Sequence, residues 1–171
     1  MKNLLRIGNN AKKAAQIKID NKTKNKVLEK FLLLIEKNKN KIYFANNKDI
    51  KFAMKKNIPE NLINRLRLDK VKIEDIQQSI YNIKKLEDPT NKVIEKWKRP
   101  NGLLIKKIST PIGVIGVIYE SRPNVTSDVS SLCFKSGNVV ILRGGSEASN
   151  SNLVITNLFR KSLKLNRVSQ N

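Results

Sequence analysis

The sequence predicts an α/β protein, with N-terminal helices followed by the start of a parallel sheet. Three observations point there. Residues 1–88 carry apolar side chains at helical spacing. Two later runs, "IGVIGVIY" and "NVVILR", are continuously apolar, the pattern of strands buried on both faces. A helical pattern follows each of them, and the resulting β-α-β-α order favours parallel strands with right-handed crossovers.

The elements follow in order. Leu4, Ile7, Ala11, Ala14 and Ala15 share one helical face, as do Val27, Leu28, Phe31, Leu32 and Ile35. Asp20 or Asn21 is placed to cap the second helix. In "NIPENLINRL", Pro59 stands at a first helical turn, where its missing N–H costs little. Ile73, Ile76, Ile80 and Ile83 form a further stripe, closed by "EDPTN". After Pro100-Asn101-Gly102, "LLIKKIST" alternates weakly like an edge strand. "NVTSDVSSLCFKSG" places Val125, Val129, Leu132 and Cys133 on one face and stops at Gly137, a C′ glycine. "GGSEAS" reads as a turn and "NSNLVITNLFRKSL" as a last helix.

Composition narrows the class. With 39% hydrophobic and 29% charged residues in 171, the chain reads as a soluble folded protein. It has no apolar run of membrane-spanning length and no secretory pattern at the N-terminus, so the cytoplasm is expected. One cysteine excludes an internal disulfide, and without histidine the usual zinc sites are not expected.

The net charge of +21 raises the question of a nucleic-acid partner. Residues 1–100 hold 26 basic and 11 acidic residues, whereas residues 111–155 hold three of each. The charge therefore lies outside the most specialised stretch. Lys, Asn and Ile, all with A/T-rich codons, make up 69 of the residues. The lysines read as solvated helix faces, and no nucleic-acid partner is expected.

Ligands of a parallel sheet bind beyond the carboxyl ends of its strands. Glu120 to Asn124 and Arg143 to Glu147 lie there. Gly113 and Gly116 are only three apart, so the first strand lacks the G-x-G-x-x-G loop of dinucleotide sites. At the second, Arg143, Gly144, Gly145 and Ser146 lead into a helix. A guanidinium, a close-approach backbone and a helix N-terminus suit a phosphate; a tight turn with a solvated arginine is the alternative. Asn124 carries an amide donor suited to an oxyanion, although its spacing favours a helix cap. Cys133 lies on an apolar face with no histidine to activate it and reads as a buried structural thiol. Glu120, Asp128 and Glu147 form no acid/base pair at a recognisable spacing, and Trp97 stands alone in a lysine-rich linker.

"PIGVIGVIYESRPNVTSDVSSLCFKSGNVVILRGGSEASNSN" closely resembles the gamma-glutamyl phosphate reductase (glutamate-5-semialdehyde dehydrogenase) family of the aldehyde dehydrogenase superfamily. "NKTKNKVLEKF", "FANNKDI", "NRLRL" and "LEDPTNKV" fall in the family's order, so the resemblance runs from the N-terminus to about Lys164. It implies a helical region over 1–100 and a partial Rossmann-like NADP-binding segment over 101–171, with the catalytic domain absent. The implied reaction is NADPH-dependent reduction of L-glutamyl 5-phosphate to L-glutamate 5-semialdehyde, in proline biosynthesis. It also implies an oligomeric cytoplasmic enzyme and a nucleophilic cysteine downstream of "RGGSEA", which Cys133 is not.

By the same resemblance Arg143 falls where relatives carry a basic residue for the adenosine ribose and its 2′-phosphate, beside Gly144, Gly145 and Ser146. Asn124 falls near the oxyanion-hole asparagine, after a segment longer than in typical aldehyde dehydrogenases. The chain is expected to be a fragment, inactive alone. The alternative is a non-catalytic basic fragment that binds RNA or docks on intact subunits.

Overall fold

The structure, a computed structural model, describes residues 2–170. Four helices come first: α1 (Lys2–Ala15), α2 (Asn21–Lys55), α3 (Glu60–Leu66) and α4 (Lys70–Lys85). Asp20 caps α2, its Oδ1 accepting the Thr23 N–H at 2.6 Å, and Asp69 caps α4 in the same way through Lys72. α2 bends at Asn38, whose φ of −118° and ψ of 15° leave the helical region. The Asn38 amide donates to the Leu34 carbonyl at 2.7 Å, as expected of a side chain that competes with the backbone ladder. Pro59 sits at the N-cap of α3, one position before the first-turn place that its sequence suggests.

The isoleucine stripe of α4 is buried as its spacing predicts, against Val27, Leu28, Phe31, Leu34 and Ile35 of α2. α1 is looser. Only Ala11 of its apolar face is fully buried, and Leu4 remains 73% exposed.

The strands form two pairs. β1 (Val93–Lys98) and β2 (Leu104–Ile108) make an antiparallel hairpin that the sequence reading resolved only in its second half. Trp97 thus lies in a strand, opposite Ile105, and not in a linker. β1 is missed because it is exposed along its whole length, and its charges interrupt any alternation. Gly102, with φ of +87°, closes the loop where the Gly102 N–H reaches the Arg99 carbonyl.

β3 (Val114–Tyr119), α5 (Pro123–Lys135), β4 (Val139–Gly144), a short 3-10 turn (Ser146–Ala148) and α6 (Ser149–Leu165) follow. β3 and β4 are parallel, with Ile118 opposite Arg143 and Tyr119 opposite Gly144. α5 ends in a Schellman motif. Asn138 N–H bonds to the Cys133 carbonyl at 2.8 Å and Gly137 N–H to that of Phe134, with Gly137 at φ of +75°.

Two burial expectations fail. β3 is covered on one side only: Ile115, Val117 and Tyr119 are half-buried, whereas Ile118 is 85% exposed. An apolar run signals a strand wanting two covers, but the covers are other segments. α5 buries Thr126, Ser127, Ser130, Ser131 and Cys133, and leaves Leu132 exposed beside half-buried Val125 and Val129. Small hydroxyl-bearing residues let α4 and α6 approach α5 closely, so the polar face goes inward.

The main core joins helices from both ends of the chain. Phe159 of α6 meets Phe31 edge-on at a centroid distance of 5.0 Å and Phe134 at 5.8 Å. Ile80, Ile155 and Leu163 complete it. A second cluster sets Ala148 of the 3-10 turn against Ile50, Ala53, Ile63 and Leu66.

At the foot of the hairpin, Lys24 and Lys135 are both nearly inaccessible. Lys24 Nζ is paired with Asp88 at 2.9 Å, and Lys135 Nζ donates to Asn21, Asn25 and the Lys84 carbonyl. Both buried ammoniums are therefore hydrogen-bonded, as burial of charge demands.

Candidate functional site

The parallel register brings the turns after β3 and β4 to one edge, so Glu120–Asn124 and Arg143–Glu147 are neighbours in space. Glu147 ties them together. Its Oε1 accepts the backbone N–H and the hydroxyl of Ser121, both at 2.8 Å. Ser121 takes a positive φ of +25°, a backbone state that a non-glycine residue holds only under such constraint. Burial pushes the Glu147 carboxyl up, but the Glu147 and Ser121 N–H groups and the Ser121 hydroxyl outweigh it and hold it below 4.5.

The two glycines of the turn have an internal reason. A Cβ at Gly145 would collide with the Glu147 carboxylate folded beneath it. A Cβ at Gly144 would collide with the Asn152 amide and crowd the Tyr119 ring at 3.1 Å. Beneath Gly144, Thr126 Oγ1 donates to Asn152 Oδ1 at 2.9 Å, so the Tyr119 hydroxyl, 2.6 Å from Thr126, is the donor to it. Burial pushes the Tyr119 phenol up, in keeping with that donor role.

The start of α6 carries no side-chain cap of its own. Asp49 of α2 supplies one from across the chain. Its Oδ1 accepts the Asn150 N–H at 3.0 Å and the Asn150 amide at 2.7 Å. Its Oδ2 accepts the Ser151 N–H at 2.7 Å and the Ser151 hydroxyl at 2.6 Å. One turn earlier, Asn46 donates to Ser151 Oγ and the Leu66 carbonyl, and accepts the Leu68 N–H. The helix end is thus already served by a carboxylate.

Arg143 and Ser146 are exposed at the rim, and no hydrogen bond or ion pair engages the Arg143 side chain among the described residues. Asn124 is half-buried inside the first turn of α5, and its amide lies 3.4 Å from Asp128 Oδ2. It caps nothing; Arg122 holds the N-cap position, without a side-chain bond. Burial pushes the Asp128 carboxyl up, although the Ser79 hydroxyl donates to it at 2.8 Å. Cys133 is buried, and that burial pushes its thiol up, so it is neither accessible nor activated. No metal-ligating cluster occurs among the described residues.

Sequence reading brought Glu120–Asn124 and Arg143–Glu147, with Ser121 among them, to this edge but missed Asp49, Asn46 and Asn152. One signal for the first two was present. Asn46 and Asp49 interrupt the apolar stripe Ile42, Ala45, Ile50 and Ala53 at helical spacing, and polar residues at core positions need partners.

No family model matches the chain. Curated relatives do. Gamma-glutamyl phosphate reductase of Nitratiruptor sp. is 49% identical over 150 residues, covering 88% of this chain and 36% of the relative. That of Thermoanaerobacter sp. is 50% identical over 143 residues, covering 84% and 34%. Among solved structures, gamma-glutamyl phosphate reductase of Thermotoga maritima superposes with a TM-score of 0.94 at 36% identity, over 98% of this chain and 41% of that one. The Saccharomyces cerevisiae enzyme gives 0.90 at 33% identity, over 94% and 41%. The chain spans about a third of the length of the curated relatives it matches. In sequence and in fold the chain matches the N-terminal third of the gamma-glutamyl phosphate reductases.

Proposed function

We propose that these residues form the helical region (1–100) and the opening of the cofactor segment (101–171) of an NADP-dependent glutamate-5-semialdehyde dehydrogenase of the aldehyde dehydrogenase superfamily. The reaction is reduction of L-glutamyl 5-phosphate to L-glutamate 5-semialdehyde, in the proline pathway of the cytoplasm, by a homo-oligomer. The observation that carries the cofactor reading is the edge where both βα turns meet, with Arg143 exposed and uncommitted at the end of β4.

The fit to a dinucleotide is selective. The glycine turn is filled by Glu147, Asn152 and Tyr119, and the α6 N-terminus by Asp49, so neither is built to cradle a pyrophosphate. Arg143 remains as the anion contact. A guanidinium suits the 2′-phosphate of NADP through charge-assisted bonds. The cofactor supplies the reducing equivalent. Asn124, in the first turn of α5, is the group proposed to donate to the oxyanion of the acyl centre. The thiol that attacks the acyl phosphate is not Cys133, whose burial keeps it protonated. The 171-residue chain is therefore expected to show no turnover of its own.

The test is a fluorescence titration of the chain with NADPH and NADH. Arg143→Ala should weaken NADPH about tenfold or more, since about 1.4 kcal/mol corresponds to a factor of ten. NADH, without the 2′-phosphate, should change much less. Equal loss for both cofactors, or none for either, would remove Arg143 from phosphate recognition.

A further inference from the structure

The turn that follows Arg143 is gripped from two sides by the chain's own carboxylates. Glu147 folds under Gly145 and holds Ser121. Asp49, 1% exposed, reaches from the C-terminal part of α2 to the first turn of α6 and takes four hydrogen bonds there. Asn46 locks the same contact through Ser151 Oγ, and fully buried Ala148 packs on Ala53 and Leu66. Among the described residues, no other element of the helical layer engages the β4–α6 connection through so many polar bonds.

The physical consequence is specific. A carboxylate at a helix N-terminus cancels its partial positive charge, so an incoming anion gains little from the α6 amides. It also fixes the backbone that runs from Ser146 back through the glycine pair to Arg143. Glycines leave a connection free to wander unless it is tied. Here the ties are a buried Asp49 with both carboxylate oxygens engaged and a half-buried Glu147 whose Oε1 holds Ser121.

We propose that Asp49 is a positioning residue for cofactor recognition: it docks the β4–α6 turn on α2 and leaves discrimination between NADP and NAD to Arg143 alone. This rests on the cofactor reading above. The role extends to a residue 94 positions upstream of the arginine.

A double-mutant cycle on the 171-residue chain tests it. Asp49→Asn, Arg143→Ala and the double variant are titrated with NADPH and NADH, after circular dichroism shows them folded. Asp49→Asn should weaken NADPH about fivefold and NADH hardly at all, within the span found for coupled residues. In the Arg143→Ala background it should have no further effect. Should Asp49→Asn fail to fold, Ser151→Ala removes one of the four bonds and should give a smaller loss of the same kind. Equal weakening of both cofactors, or a full effect that persists without Arg143, overturns the positioning role and leaves Asp49 as a purely structural cap. If Arg143→Ala alone leaves NADPH affinity unchanged, or if the parent chain binds neither cofactor, the cofactor reading fails first and the role of Asp49 falls with it.

Discussion

Phe159 and Ile118 both belong to strongly apolar stretches, yet their surroundings are opposite. Around Phe159, ring edges from Phe31 and Phe134 close the space between α2, α5 and α6. Ile118, next to the last residue of β3, stands 85% exposed. The helical layer finds its partners inside the chain; the parallel pair finds only half of its cover there. Apolar sequence thus states a demand for burial, and whether it is met depends on what else is at hand.

The largest effect should come from breaking that contrast directly. Phe159→Ala empties the aromatic centre of the core and should cost about 3–5 kcal/mol. Ile118→Ala, at an open site, should stay within about 0.5 kcal/mol. Urea denaturation of the two variants makes the measurement, and similar losses for both would mean that β3 is covered in solution. Gly145→Ala comes next. The new methyl group forces the Glu147 carboxylate out of its place beneath the turn and releases Ser121, at about 1–3 kcal/mol for the unsatisfied buried groups. Gly102→Ala, in the exposed hairpin loop, meets its nearest atom only at 4.0 Å and pays for backbone strain alone.

The smallest effect contrasts two carboxylates. Burial raises the Asp128 pKa above 3.8, so the folded state binds a proton more readily than the unfolded state does. The stability gained from that proton is complete below the unfolded pKa and is lost as pH rises through the folded one. Asp88 is also pulled upward by burial, but Lys24 and Thr90 outweigh it and its pKa is lowered. Its contribution is present above the unfolded pKa and lost as pH falls through the folded value. Asp128→Asn keeps an acceptor for Ser79 and should leave neutral-pH stability almost unchanged or slightly higher. The difference in Tm between parent and variant should shift in the parent's favour on acidification from neutral pH. The corresponding difference for Asp88→Asn should shift the other way, against the parent. Differences of the same sign would show that Asp128 is solvated.

Much of this was legible because it is local. Helical spacing located α2 and α4, Asp20 its cap, Gly137 the end of α5, and the order of apolar runs the parallel pair. Motif similarity also placed the chain beside its relatives. α5 shows where that reading stops: its valines and Leu132 promised a buried face, and its serines and threonine took it. The candidate edge divides in the same way. Arg143, Gly144, Gly145, Ser146 and Asn124 stand in two short segments that the β-α-β-α order alone brings to one end of the sheet.

What the sequence by itself determined, then, is the set of elements, their order and the family likeness, since periodicity, caps and motifs act over a few residues. Only the tertiary structure decided that Glu147 joins the turn after β4 to Ser121 in the turn after β3, and that Asp49 caps a helix about a hundred residues away. A hydrogen bond depends on distance and direction in space, and neither is written in the spacing of residues along the chain.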